Sequence, residues 1–313
     1  MTESLPTLPI KLIAIDLDGT LLNTNHEMSE RTEKTLKAAI AQGVKVIIAT
    51  GKTLAAAQHL LKRLGNNTAG IFNQGTITFN SDGSIHSQQI IDTMLARQAI
   101  TFAEDRGYLV AVYSGSHIYV RKLSKRMEEL THHYHEPMPE EVGPLQNILD
   151  TTKVNKIIAI YPDDPRKIAA LRWQLNMQIG TAARVLSVGI PDELEILPTN
   201  ASKGTALKVL LKEFGIPVNQ AMALGDGEND IEMLQLVGLG VAMGNANDHV
   251  KSFAKAITKT NDEDGVAEAV EKYVLKTVEK PAEPVTPAPT AAATTETTPA
   301  PESPSKVEAS PLS

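Results

Sequence analysis

Two carboxylates, Asp16 and Asp18, stand one residue apart in KLIAIDLDGTLL, directly after an apolar run. Like charges repel by about 1 kcal/mol at roughly 4 Å in water, and by more where solvent is partly excluded. A cation between them, or a proton on one of them, relieves that repulsion. Asp226, Asn229 and Asp230 follow another apolar run in AMALGDGEND, and Thr50 and Gly51 end a third in VKVIIATG. Lys203 opens a helical stretch in SKGTAL, where backbone N–H groups and the helix dipole favour an anion. Four carboxylates and one lysine, with no His or Cys among them, make a set of hard oxygen donors that selects Mg²⁺. Lys203, the Thr50 hydroxyl and helix-end amides would then hold a phosphoryl group.

These residues meet only if the elements bearing them converge. KLIAID, VKVIIATG and AMALGDG read as buried strands, each an apolar run with a polar or glycine stop. Between the first two lies SERTEKTLKAAIAQG, a helix with Ser29 as N-cap and Gly43 at its end. The alternation returns after Lys203, which predicts a doubly wound parallel α/β sheet with ligands at the carboxyl ends of its strands. The middle of the chain mixes hairpins with helices and predicts an inserted α+β domain. The expected boundaries are a discontinuous core of residues 9–83 and 192–277, a cap of residues 84–191 and a disordered Pro/Thr/Ala-rich tail of residues 278–313.

Three other motif readings fail on single positions. GKT at Gly51 to Thr53 would need Gly at position 46 for a P-loop, where Val46 stands. GDGEND carries Asp230 where a dinucleotide fingerprint needs Gly. DLDGT lacks the later oxygen ligands of a calcium loop.

The chain has 313 residues, more than one core usually holds, with 42% hydrophobic and 21% charged residues. Its net charge of −7 argues against a nucleic-acid partner. The absence of cysteine excludes disulfides and thiolate chemistry. With no membrane-length apolar run and no signal-peptide core near the start, a cytoplasmic protein is expected, without a membrane partner and acting as a monomer or homodimer.

DLDGT, ATGK, SKGTAL and GDGENDIEML, in that order and followed by GVAMGNA and NDEDGVA, resemble the haloacid dehalogenase superfamily and within it the Cof-type phosphatases. The resemblance covers residues 9–275 and implies a Rossmann-like core with an α/β cap. It implies a Mg²⁺-dependent phosphatase acting on a small phosphomonoester such as a sugar phosphate. By resemblance Asp16 is the nucleophile that forms an aspartyl-phosphate, and Asp18 is the general acid and base. The metal would be held by Asp16, the Asp18 carbonyl and Asp226. Thr50, Gly51, Lys203 and Asn229 would bind the phosphoryl oxygens, with Asp230 orienting Lys203 or a metal-bound water. Lys52 departs from the pattern, which usually has Arg there. A phosphomutase, or a non-catalytic phosphoester-binding protein, is the alternative.

Blander roles stand beside these: a solvated helix lysine for Lys203, a helix cap for Asn229. His132, His133 and His135 in THHYHEP are expected at an exposed or substrate-facing surface rather than at a metal, and Trp173 in a core or against the cap.

Overall fold

The structure is a computed structural model that describes residues 8–65, 69–162 and 164–275. The tail expected to be disordered lies outside the described residues.

β1 (Leu12–Ile15) is buried along its whole length and leads through α1 (Glu30–Ala41) to β2 (Lys45–Ile48) and α2 (Leu54–Arg63). Ser29 caps α1 as expected, its hydroxyl accepting the Thr32 N–H at 3.0 Å. β3 (Gly70–Phe72), β4 (Ile77–Phe79) and β5 (Ile85–Gln88) then form a small antiparallel sheet. Next come α3 (Thr93–Glu104), β6 (Leu109–Ser114), β7 (His117–Val120), α4 (Lys125–Tyr134), β8 (Glu140–Glu141), β9 (Lys156–Ile160), α5 (Pro165–Ile179), β10 (Ala183–Leu186) and β11 (Glu193–Pro198). The chain closes through α6 (Lys203–Glu213), β12 (Ala221–Gly225), α7 (Ile231–Leu236), β13 (Leu239–Ala242), α8 (Asp248–Ser252), β14 (Ala256–Ile257) and α9 (Gly265–Val270).

The first and last segments share one parallel sheet, in the order β14-β13-β12-β1-β2. Strand side chains alternate between faces. Ile13 and Ile15 therefore pack with Leu36, Leu60 and Val270 on one side, while Leu12 and Ala14 pack with Leu207, Leu210 and Met233 on the other. Both faces are covered by helices, which is why these strands read as unbroken apolar runs rather than alternating ones. This is the expected doubly wound α/β fold.

The middle segment builds a second sheet, β10-β11-β9-β6-β7-β8, antiparallel except between β7 and β8. Strand pairing crosses both expected boundaries. A break at residue 83 falls within the turn of the β4–β5 hairpin, whose registers run from Ile77–Gln88 to Phe79–Ile85. A return to the core at residue 192 precedes β11, yet β11 pairs with β9 and β10. The second sheet thus retains the chain through Pro198. The Asp82-Gly83 turn marks β4 and β5 as a hairpin, whereas local pattern marks β11 as a strand without carrying the identity of its partners.

Trp173 corrects another expectation, being 67% exposed. The inward stripe of α5 is Ile168, Leu171, Leu175 and Ile179. Two residues past Leu171 is about 200° around the helix, which turns Trp173 outward. Among the described residues, no helix is long and apolar enough to cross a membrane.

Candidate active site

Asp16 leaves the carboxyl end of β1, and Asp226 leaves that of the neighbouring β12. Lys203 is the first residue of α6, whose N-cap Ser202 accepts the Thr205 N–H. A lysine at a helix start opposes the dipole, and this one is also only 1% exposed. Two carboxylates compensate it: its Nζ donates to Asp16 Oδ1 at 2.6 Å and to Asp230 Oδ1 at 2.7 Å. Asp230 is fully buried, and its Oδ2 accepts the N–H groups of Asp226 and Gly227 at 3.1 and 3.0 Å. Lys203 is therefore not a solvated helix lysine.

Asp16, Asp226 and Asp230 offer ligand oxygens within 4.8 Å of one another. Burial pushes the Asp16 carboxyl well above its ordinary value, Lys203 opposes that, and Asp230 and Asp226 reinforce it. Burial and then Asp230 push Asp226 up to about 6, against a hydrogen bond from Thr20. Burial also disfavours the charge on Lys203, but Asp16 and Asp230 outweigh it and hold the ammonium above its usual range. The cluster has more negative charge than one lysine balances, all of it on hard oxygen atoms. That donor set fits a divalent cation such as Mg²⁺.

Asp18 points into the same cavity as Asp16, Thr50, Gly51, Asp226 and Asn229. Its Oδ1 accepts from Lys52 Nζ at 2.8 Å and lies 3.4 Å from His26 Nδ1. His26 Nε2 in turn stands 3.2 Å from Nε2 of His133, an exposed residue of α4 along with His132. Thr50 accepts the Lys52 N–H at 3.1 Å, so the ATGK turn folds back upon itself beside Asp18. Asn229 does not cap a helix; that turn is held by Asp230, and Asn229 Nδ2 donates to Gln74 Oε1 at 2.9 Å. Gly19 in DLDGT is needed twice over. Its φ is +77°, and a Cβ there would stand 2.4 Å from Asp226 Oδ2.

The haloacid dehalogenase-like hydrolase family matches residues 13–270 of this sequence. The chain belongs to that family. Phosphatase YwpJ of Bacillus subtilis is 31% identical to this hydrolase over 289 residues, covering 85% of this chain and 100% of YwpJ. A chloroplastic protein of Arabidopsis thaliana named endoribonuclease YBEY is 32% identical over 273 residues, but the match spans 84% of this chain and 46% of that relative. Among solved structures, a haloacid dehalogenase-like hydrolase from Bacteroides thetaiotaomicron superposes with a TM-score of 0.77 at 29% identity, over 84% of this chain and 99% of that one. This hydrolase is accordingly an enzyme of the phosphatase class.

Three further residues at the site were not singled out from the sequence, although Thr20 ends DLDGT and Asn245 lies in GVAMGNA. Thr20 donates to Asp226 Oδ1 at 2.9 Å, and Asn245 donates to the Gly19 carbonyl at 2.8 Å. Asn245 follows a buried strand in GVAMGNA, the same strand-end signal that marks Asp16 and Asp226. Gln74 sits in a left-handed bend, φ 61°, between β3 and β4, where nothing local announces it.

The cavity above the hydrolase's acidic cluster has a volume of about 700 Å³ and is walled by the second sheet and α4. β9 contributes Lys156, Ile158 and Ile160, β11 contributes Glu193 and Glu195, and α4 contributes Leu130 and Tyr134. Lys156 and Glu195 pair at 2.8 Å, each 3% exposed at its side chain, and Lys156 also donates to the Gly51 carbonyl at 2.9 Å. Burial disfavours the Lys156 charge, yet Glu195, Glu193 and Glu136 together hold its ammonium above the ordinary value.

Burial, then Glu195, pushes the neighbouring Glu193 up from 4.5 to about 8, against Lys156. A folded value above the unfolded one means the native state binds more protons across that window, so stability falls as pH rises through it. Glu193→Gln is expected to remove this slope. The variant should match the parent near pH 5 and exceed its stability by on the order of a few kcal/mol above pH 8. Urea unfolding at the two pH values measures it.

Proposed function

We propose that this phosphatase hydrolyses a small phosphomonoester, a sugar phosphate or similar metabolite, through an aspartyl-phosphate on Asp16. The observation that carries the reading is the Lys203 ammonium clamped between Asp16 and Asp230, beside Asp226 and at the base of the cavity that also holds Asp18, Thr50 and Gly51. Asp16 offers its second carboxylate oxygen to phosphorus, forming the P–O bond to the enzyme as the bond to the leaving oxygen breaks. Lys203, with the Thr50 hydroxyl and Gly51, compensates the charge that gathers on the phosphoryl oxygens. Asp18 gives its proton to the leaving oxygen, then takes one from the water that splits the aspartyl-phosphate and releases inorganic phosphate. Lys52, 2.8 Å away, positions that carboxyl.

Asp16, Asp226 and the Asp18 carbonyl would hold Mg²⁺, whose chemistry when bound is to offset the phosphoryl charge against which Asp16 advances. Asp230 has both oxygens committed to Lys203 and to backbone N–H groups, which suits a role in orienting the lysine rather than in ligation. The cysteine-free sequence suits a cytoplasmic setting.

Phosphate release from a panel of metabolite esters, with Mg²⁺ and with EDTA, tests the proposal. Hydrolysis is expected with Mg²⁺ and is expected to vanish with EDTA. Asp18→Asn should slow alkyl esters by on the order of 10²–10⁴-fold and p-nitrophenyl phosphate far less, because that leaving group needs no proton. Equal losses on both ester types would remove Asp18 from proton transfer.

A further inference from the structure

The cap wall of the cavity holds charge that phosphoryl chemistry does not use. β11 turns Leu194 and Ile196 into the apolar core and presents Glu193 and Glu195 to the cavity. Glu195 is 2% exposed; its Oε1 is held by Lys156, while its Oε2 is buried without a hydrogen-bond partner. An unpaired buried acceptor costs about 1–3 kcal/mol, and more when charged, so native structures rarely leave one without a protein, water or ligand donor. Lys156 cannot serve it further: its ammonium already reaches Glu195 Oε1 and the Gly51 carbonyl and lies 4.3 Å from the centre of the Tyr113 ring. Glu136, also on this wall, is engaged by the N–H and hydroxyl of Thr53 at 3.1 and 2.6 Å.

The wall therefore sets two buried acids beside one buried lysine; burial keeps Glu193 largely protonated at neutral pH, and Glu195 keeps one oxygen without a protein donor. A metal ion does not answer this demand. Among the described residues, the acidic or histidine side chains that gather three ligand atoms within 4.8 Å are Asp16, Asp226 and Asp230, and none belongs to this wall. An organic group with its own positive charge or N–H donors does answer it. Ile158, Ile160 and Leu130 line the same cavity and suit its apolar body.

We propose that Glu195, seconded by Glu193, determines specificity by accepting an N–H from an amino group on the organic part of the phosphomonoester. This rests on the phosphatase reading above. A sugar hydroxyl also donates, but an ammonium brings a charge as well to the open oxygen of Glu195, which a neutral hydroxyl does not. The amine end would lie against the second sheet while the phosphate end meets Lys203. Because Lys156 bonds both Glu195 and the Gly51 carbonyl, one side chain ties the recognition wall to the phosphate loop.

The test is phosphate release with Mg²⁺ on matched pairs: glucosamine 6-phosphate against glucose 6-phosphate, and O-phosphoethanolamine against 2-hydroxyethyl phosphate. The amino member of each pair is expected to have a kcat/KM at least about tenfold higher, chiefly through KM. In Glu195→Gln, which keeps the shape but not the charge, that ratio should fall to near one, and in Glu193→Gln it should fall part of the way. Should Glu195→Gln fail to fold by circular dichroism, the parent ratio and Glu193→Gln decide alone. Equal turnover within the pairs, or an unchanged ratio in the folded Glu195→Gln protein, overturns the assignment. p-Nitrophenyl phosphate separates the two levels: its hydrolysis without amino preference sinks only this inference, and no hydrolysis of any ester sinks the phosphatase mechanism with it.

Discussion

Asp16→Asn is expected to abolish steady-state hydrolysis of p-nitrophenyl phosphate, with a loss on the order of 10⁴–10⁶-fold, as when the nucleophile of a covalent mechanism is removed. The amide keeps the shape of the carboxylate but cannot form an acyl phosphate. The variant is nonetheless expected to fold, with a melting temperature at or above that of the parent. Asp16 is nearly buried beside Asp230 and Asp226, and burial together with those neighbours raises its carboxyl far above the usual range. Neutralising one acid of a crowded set relieves repulsion, as is common where a site is built for chemistry rather than for stability. Acid quench of the parent during turnover, followed by peptide mass spectrometry, should show phosphate on the peptide containing Asp16. Normal turnover by a folded Asp16→Asn protein would end the covalent mechanism.

Lys203→Met carries the second large effect and acts on both activity and stability. Loss of one preorganised charge at the phosphoryl group should lower kcat by on the order of 10²–10³-fold. Removing one partner of a buried ionic set typically costs about 3–5 kcal/mol, because the charges left behind lose their compensation. Here the stranded groups are Asp16 and Asp230, held at 2.6 and 2.7 Å in the parent. The dependence on pH follows from the sign of the Asp16 shift. Burial already sets its folded value above the unfolded one, and Lys203 is the first influence opposing that rise. Without the lysine the folded value climbs further, so the native state binds more protons than the unfolded state over a wider range. The stability deficit should be smallest near pH 5 and grow toward pH 8 in EDTA. Chemical denaturation at the two pH values reads it, and a deficit that shrinks toward pH 8 would show that Lys203 does not compensate these acids.

Much of this site could be read from strand ends. Asp16, Thr50 and Asp226 each follow an apolar run, and in a parallel sheet all such ends open on one side. That placed Asp16, Asp18, Thr50, Gly51, Asp226 and Asn229 around one cavity, with Lys203 and Asp230 beneath it. Lys52 was legible as a residue but not as a contact. Its ammonium reaches Asp18 because the ATGK turn folds back between β2 and α2, and a turn's direction is settled by the sheet to which it is attached. Asn245 carried the same strand-end signal, but its contact spans 226 positions, and Gln74, whose contact spans 155, had no local pattern to announce it.

The sequence by itself determined the alternation of the α/β core, the capping of α1 and the chemistry-bearing ends of β1, β2 and β12, because these depend on near-neighbour propensities and on side-chain period. Only the tertiary structure decided that β11 belongs to the second sheet, that Trp173 faces outward, and that Glu193, Glu195 and Lys156 share a wall. Period-2 alternation says that Glu193 and Glu195 lie on the same side of a strand. Which side is buried, and whether a lysine or a cavity waits there, depends on pairing between segments more than 30 residues apart in the chain, from Glu193 with Ile160 to Ile196 with Ile157. The carboxylates of the acidic cluster are a local signal; the wall that faces them across the cavity is a product of packing.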